Sequence, residues 1–344
     1  MENLIISSSP HVKSQRTTHF FMQDVILALI PVLIAGVVFF SYRALVLVLI
    51  SVISCVFFEG LYSKLLNKPS TLKDYSAVVT GLILGLNLPV GVPIYFPIIG
   101  AAFAIIVVKM IFGGLGKNIV NPATAARVFL SICFTKSMTT WVAPVTAIGE
   151  NAGSLSLFGN VDVVSSATPL TYLKDAHQIS SLMMHYSITD LFIGSVGGCI
   201  GETCSILLLL GGLFLLVRKV ITWHIPVSFV GTVAVLTFLF PQYTTISRID
   251  FMSYHLLSGG LLFGAIYMAT DFTTSPTTRL GRIIYGCGCG LITVIIRYFG
   301  AYPEGVSFAI LIMNFFAWQI DQYTLPKKFG GEKRGFIFRK KTRK

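Results

Sequence analysis

Charge is scarce in this chain. Only 12% of its 344 residues are Asp, Glu, Lys or Arg, against roughly 25% in a soluble domain. Hydrophobic residues make up 54% and the mean hydropathy is +0.79. So much apolar surface excludes a water-soluble globule and leaves lipid as its surroundings. Other absences narrow the chemistry. Gly116-Lys117 is not followed by Ser or Thr, so "FGGLGKNIVNPATAARVFL" (112–130) is not a phosphate-binding P-loop. No Gly-x-Gly-x-x-Gly fingerprint for a nicotinamide dinucleotide is present. The six cysteines, Cys55, Cys133, Cys199, Cys204, Cys287 and Cys289, lie in apolar segments and read as helix-packing residues. Cys287-Gly288-Cys289 has no His or carboxylate beside it at ligand spacing, so no metal site is expected.

What is present is a series of apolar runs. They predict an all-α integral membrane protein with helices near 25–41, 44–62, 75–88, 93–113 and 121–136. After a polar interval, others follow near 188–217, 222–240, 255–270, 280–298 and 305–321. No apolar run precedes the first of these, so the first span itself is expected to direct insertion. Lys and Arg orient the chain. Lys13, Arg16, Lys64, Lys68, Lys73, Lys117, Arg218, Lys219, Arg279, Arg282 and nine residues of the tail fall on one side. Arg43, Lys136, Lys174, Arg248 and Arg297 fall on the other. Both termini are therefore expected in the cytoplasm and the central polar loop outside. The net charge of +12 reads as topology, with the basic tail against anionic lipid, and not as nucleic-acid binding.

The two sets of five suggest inverted repeats. "NLP" (87–89) precedes "FGG" (112–114) by about the distance that separates "TSP" (274–276) from "FGA" (299–301). Each "FG" follows a span with one late cation, Lys109 or Arg297. An odd number of spans inverts the second copy, and such folds place working sites at interrupted helices near the midplane. Three interruptions are expected: "LNLPVGVP" (86–93), "GGCIGETC" (197–204) and "MATDFTTSP" (268–276). The last two carry Glu202 and Asp271, acids inside apolar segments and therefore ion-pathway candidates. The alternative is that each caps a half-helix or pairs with an Arg such as Arg279 or Arg282. Gly113, Gly114 and Gly116 read as a tight turn, with Asn121 capping a helix and Pro122 in its first turn. "GCGCG" (286–290) reads as close helix packing.

The remaining motif is "DVVSSATPL" (162–170), an exposed, small-residue hydroxyl loop in the polar interval. Thr168-Pro169 reads as a helix N-cap and first residue. The same geometry would suit a phosphate esterified to the threonine.

Taken with "SPHVKSQRTT" (9–18), "FGGLGKNIVNPATAAR" (112–127), "IGET" (200–203), "MATDFTTSPTTRLGRIIYG" (268–286) and "YPEGVSFAILIMN" (302–314), the sequence resembles a known family over nearly its whole length. The family comprises the D subunits of Rnf complexes and the B subunits of sodium-pumping NADH:quinone oxidoreductases. The short stretch before the first span favours the Rnf branch. The resemblance implies covalent FMN, joined through its phosphate to Thr168 by a flavin transferase that recognises Asp162, Ser165, Ser166, Ala167 and Thr168. Ser166 departs from the glycine usual there, and glycine reaches backbone conformations that serine does not. The resemblance also implies a membrane subunit, not catalytically complete alone, of an ion-translocating ferredoxin:NAD oxidoreductase. Its expected partners are the A, E and G subunits in the membrane and the peripheral B and C subunits. The resemblance further admits a second, non-covalent flavin such as riboflavin. A quinone-reductase subunit and a urea-transporter-like channel are the other readings, and flavin content separates the channel from both.

The expected organisation is a cytoplasmic segment (1–24), a five-helix repeat (25–136), an extracytoplasmic loop with the flavin motif (137–187), a second five-helix repeat (188–321) and a basic cytoplasmic tail (322–344).

Overall fold

The computed structural model describes residues 17–67, 71–144, 168–174, 182, 186–243 and 246–326. The described chain is helical, with an isolated antiparallel bridge between Pro89 and Cys199. Helices α1 (Thr18–Phe40) and α2 (Tyr42–Leu65) meet at Ser41, whose φ of 69° reverses the chain in one residue. α3 (Ser76–Leu86) follows, then α4 (Tyr95–Met110), whose second half is a π-helix, then α5 (Pro122–Cys133). Next come the short α6 (Pro169–Tyr172) and α7 (Ile188–Ile193), then α8 (Ser205–Val217) and α9 (His224–Leu239). It ends with α10 (Arg248–Leu257), α11 (Leu261–Met268), α12 (Arg279–Phe299) and α13 (Val306–Thr324).

Among the described residues, α1, α2 and α12 are each long and apolar enough to cross a bilayer. α10 and α11 reach that length together, bent by 61° at their junction. α3, α4, α5, α8 and α9 are apolar but shorter. Large hydrophobic side chains stay exposed on the outer faces, among them Ile34 and Val38 of α1, Ile53 and Phe57 of α2 and Leu213 of α8. Apolar residues on both inner and outer faces are what a helix in lipid carries.

The helices fall close to the expected spans, with two differences. α1 begins at Thr18, not 25. Its polar first turns are stabilised because Asp24 is buried and pairs with Arg218, 3.0 Å away. α10 begins at Arg248, where Ser247 accepts a hydrogen bond from the Asp250 amide, so a polar turn precedes the apolar run.

Small residues let the backbones approach. A Cβ on Gly81 of α3 would lie 2.6 Å from Val52 Cα of α2. One on Gly290 of α12 would lie 2.9 Å from the Phe229 carbonyl of α9. The "GCGCG" run is therefore a helix-packing seam, as its composition suggests.

The breaks between helices satisfy one another. The Leu86 carbonyl accepts from the Gly201 amide (2.7 Å), and Leu88 accepts from Ile200 (3.2 Å). Arg43 of α2 is buried and donates to the carbonyls of Val90 (3.0 Å) and Val92 (3.1 Å). Helix ends leave unpaired backbone groups, and inside a membrane these need protein partners. Two of the three predicted interruptions thus face each other and supply each other's hydrogen bonds.

Candidate functional site

Thr168 stands at the head of α6, with extended backbone and Pro169 in the first helical position. The hydroxyl does not cap the helix. It lies 3.0 Å from the Thr171 hydroxyl. Nor is it exposed: Thr168 is 8% accessible, a correction to the expected open loop. The reason is the anchorage of its segment. Leu170 and Leu173 are buried in an apolar cluster with Leu191, Val196, Phe251 and Tyr254. The Lys174 amine donates to the carbonyls of Gly300 and Tyr302, both at 2.8 Å, and burial pushes its pKa below the usual lysine value. Tyr243 donates to the Lys174 carbonyl at 2.9 Å. Asp162, Ser165, Ser166 and Ala167 lie outside the described residues.

Beside Thr168 is a cavity of about 30 Å³, walled by Trp141, Pro169, Glu202, Thr203, Ser258 and Glu304, among others. Behind its acidic wall is a buried polar cluster. Arg127 of α5 donates to Glu304 Oε2 (3.3 Å) and to Cys199 Sγ (3.1 Å). The Gly260 amide donates to Glu304 Oε1 at 2.7 Å. Ligand atoms of Cys199, Glu202 and Glu304 lie within 4.8 Å of one another. Arg297 of α12 donates to the carbonyls of His255 (2.5 Å) and Ser258 (3.1 Å) at the end of α10. The structure therefore brings Thr168 and Glu202, predicted separately, to one cavity.

Asp271 lines a different cavity of about 70 Å³, with Ser76, Lys109, Asn118, Asn121 and Thr270. Its Oδ2 accepts from Thr273 (2.9 Å) and Thr274 (3.0 Å). The Asn121 side chain caps α5, accepting from the amides of Ala123 and Thr124, and donates to the Met268 carbonyl at 3.1 Å. Neither Glu202 nor Asp271 belongs to an ion pair among the described residues, so the alternative pairing with Arg279 or Arg282 is not found.

The NQR2, RnfD, RnfE family model matches residues 5–330. The chain belongs to the NQR2, RnfD, RnfE family. Members of that family resemble it along almost their full length. It is 43% identical to the D subunit of the Na+-translocating ferredoxin:NAD+ oxidoreductase complex of Acetobacterium woodii, covering 95% of this chain and 96% of the relative. It is 42% identical to the D subunit of the proton-translocating ferredoxin:NAD+ oxidoreductase complex of Clostridium ljungdahlii, covering 94% and 96%. It is 38% identical to the D subunit of the ion-translocating oxidoreductase complex of Cronobacter sakazakii, covering 94% and 98%.

Within this NQR2, RnfD, RnfE-family chain, sequence reasoning missed three charged residues that matter. Arg127, Glu304 and Glu59 are charges in or beside apolar spans, the same signal that marked Glu202 and Asp271. Glu59 is buried and pairs with Lys109 at 2.6 Å.

Proposed function

We propose that this chain is the D-type membrane subunit of an ion-translocating ferredoxin:NAD+ oxidoreductase, carrying FMN esterified to Thr168. The carrying observation is full-length similarity, at 43% and 42% identity, to subunits named for that activity. The A, E and G subunits in the membrane and the B and C subunits at its surface supply the remaining cofactors and the dehydrogenase chemistry. A flavin transferase installs the FMN.

Attachment through Thr168 requires its hydroxyl to be uncovered, since the residue is 8% accessible. Among the described residues its hydroxyl has only the Thr171 hydroxyl as a hydrogen-bond partner, and Leu170, Leu173 and Lys174 hold the segment in place. The neighbouring cavity of about 30 Å³ has room for a water-sized occupant, so a flavin ring on Thr168 stands outside it. FMN supplies one-electron and two-electron transfer. The Asp271 cavity of about 70 Å³ has room for a few waters.

The architecture we propose is ten spans in two inverted five-helix repeats, with both termini cytoplasmic and the Thr168 loop outside. The matched placement of the two late cations supports it. Lys109 and Arg297 are both buried, and both spend their donors inside their own half, Lys109 on Glu59 and Ser76 and Arg297 on His255 and Ser258. Glu202 and Asp271 are assigned to the ion route. Each is an acid at a helix interruption, lining a cavity, with no ion-pair partner among the described residues.

Denaturing electrophoresis of the chain co-expressed with its transferase tests the cofactor. The band is expected to fluoresce under ultraviolet light, and Thr168→Val abolishes this while Thr171→Val does not. A fluorescent Thr168→Val band refutes the attachment site. A non-fluorescent wild-type band, with the transferase present, refutes covalent FMN on this chain.

A further inference from the structure

Thr168 raises a problem of access. The residue is buried, whereas Thr171, whose hydroxyl lies 3.0 Å away, is exposed. An enzyme that modifies Thr168 cannot reach its hydroxyl in this arrangement. The cover comes from the seating of its own segment. Leu170 packs on Gly259, where a Cβ would lie 2.6 Å from Leu170 Cδ1. Gly259 also has a φ of +67°, which glycine adopts without strain. Leu173 is buried in the same apolar cluster as Leu191, Phe251 and Tyr254. Lys174 donates to the carbonyls of Gly300 and Tyr302, and Tyr243 donates to the Lys174 carbonyl. The α10–α11 turn and the α12–α13 turn are thus the seats.

Two features suit this seating to reversible release. The first is size. α6 has four residues, so few apolar side chains must leave, and such local openings cost far less than global unfolding. The second is charge. The Lys174 ammonium is half-buried and paired with neutral carbonyls of half-buried residues. Lifting gives the ammonium and both carbonyls to water and strands no ion. Parting Lys109 from Glu59, by contrast, would strand two buried charges.

We propose that residues 168–174 form a strap over Thr168. The hydroxyl is open to modification while Leu170, Leu173 and Lys174 are off their seats, and it is covered once they are seated. The purpose of the strap rests on the FMN reading above, but its motion does not. With flavin adenine dinucleotide as donor, the Thr168 Oγ–phosphorus bond forms as the phosphoanhydride bond breaks. Adenosine monophosphate leaves, and the hydroxyl proton passes to solvent.

The motion is tested without flavin or transferase. The full-length chain carrying Thr168→Cys is treated with iodoacetamide in detergent, and peptide mass spectrometry follows each cysteine. The introduced thiol is expected to react more than about tenfold slower than in the denatured chain. Adding Lys174→Met should raise its rate about tenfold, because two hydrogen bonds from a charged donor are lost. Adding Tyr243→Phe, a milder change that decides the matter if Lys174→Met does not fold, should raise it several-fold. The native buried thiols of Cys204 and Cys289 should stay as slow as before. Fast reaction at position 168 without the second change overturns the strap. So does a rate unchanged by either added substitution, or a rise that Cys204 and Cys289 share, which would be general unfolding. A second arm keeps Thr168 and follows loading by the transferase through in-gel fluorescence over time. Lys174→Met and Tyr243→Phe should load faster than wild type by similar factors, and equal rates overturn the strap as the control on attachment. No flavin in any of the three, with the alkylation pattern as expected, counts against FMN on Thr168 and leaves the strap standing.

Discussion

The Lys109 amine lies 2.6 Å from Glu59 Oε2 and 2.7 Å from Ser76 Oγ, wholly inside the protein. Thr71 donates a hydrogen bond to the other Glu59 oxygen. α2, α3, α4 and the turn before α3 are thereby joined at one point. Removing one partner leaves an uncompensated buried charge, typically a loss of about 3–5 kcal/mol. Lys109→Met and Glu59→Gln are each expected to lower the unfolding midpoint and the yield of folded protein. The double variant should recover much of the loss. If the single changes are silent, the pair does not hold these helices together.

Arg43 reaches across from α2 to hold the Val90 and Val92 carbonyls in the break after α3. Arg43→Met should therefore destabilise by about 1–3 kcal/mol for each carbonyl left unpaired. Arg43→Lys, a single point donor, should recover part of this. Denaturant unfolding in a fixed detergent measures both, and equal stability of wild type and Arg43→Met would contradict the role given to Arg43.

Topology is checked by chemical access. A cysteine placed near residue 155 should react with a membrane-impermeant thiol reagent applied from outside. One placed near residue 335 should react only after the membrane is opened. The reverse labelling pattern would overturn the proposed orientation.

Asp271 accepts from Thr273 and Thr274 at the head of its cavity. If it lies on the ion route, Asp271→Asn keeps the threonine hydrogen bonds through its amide oxygen, so assembly and in-gel flavin fluorescence should be unchanged. Ion uptake per electron in sealed vesicles should fall several-fold. Wild-type stoichiometry in this variant would remove Asp271 from the route.

Gly290 packs against Phe229, with no room for a side chain. Gly290→Val should cost at least the roughly 1–3 kcal/mol typical of overpacking by separating α9 from α12. Thermal unfolding measures the loss, and a stable variant would show that the seam can yield.

Local sequence was enough for the membrane class, the positions of most helices and their punctuation. Apolar runs set the spans. Asn121-Pro122 marked the start of α5 because capping involves residues two or three apart. The prolines of "LNLPVGVP" marked a break because proline cannot continue the hydrogen-bond ladder. The late cations Lys109 and Arg297 were legible as a matched pair, but their burial was not.

Their partners were not legible. Arg127 and Glu304 are 177 residues apart, and Asn121 and Met268 are 147 apart. No periodicity connects such pairs. The burial of Thr168 also escaped a local reading, which saw only small polar residues. Leu170, Leu173 and Lys174 draw it under cover through contacts with α7, α10 and the α12–α13 turn. Sequence alone determined which groups are costly to bury in a membrane. Only the tertiary structure decided which of them neutralise one another and which are left facing a cavity, because that depends on groups brought together across the chain.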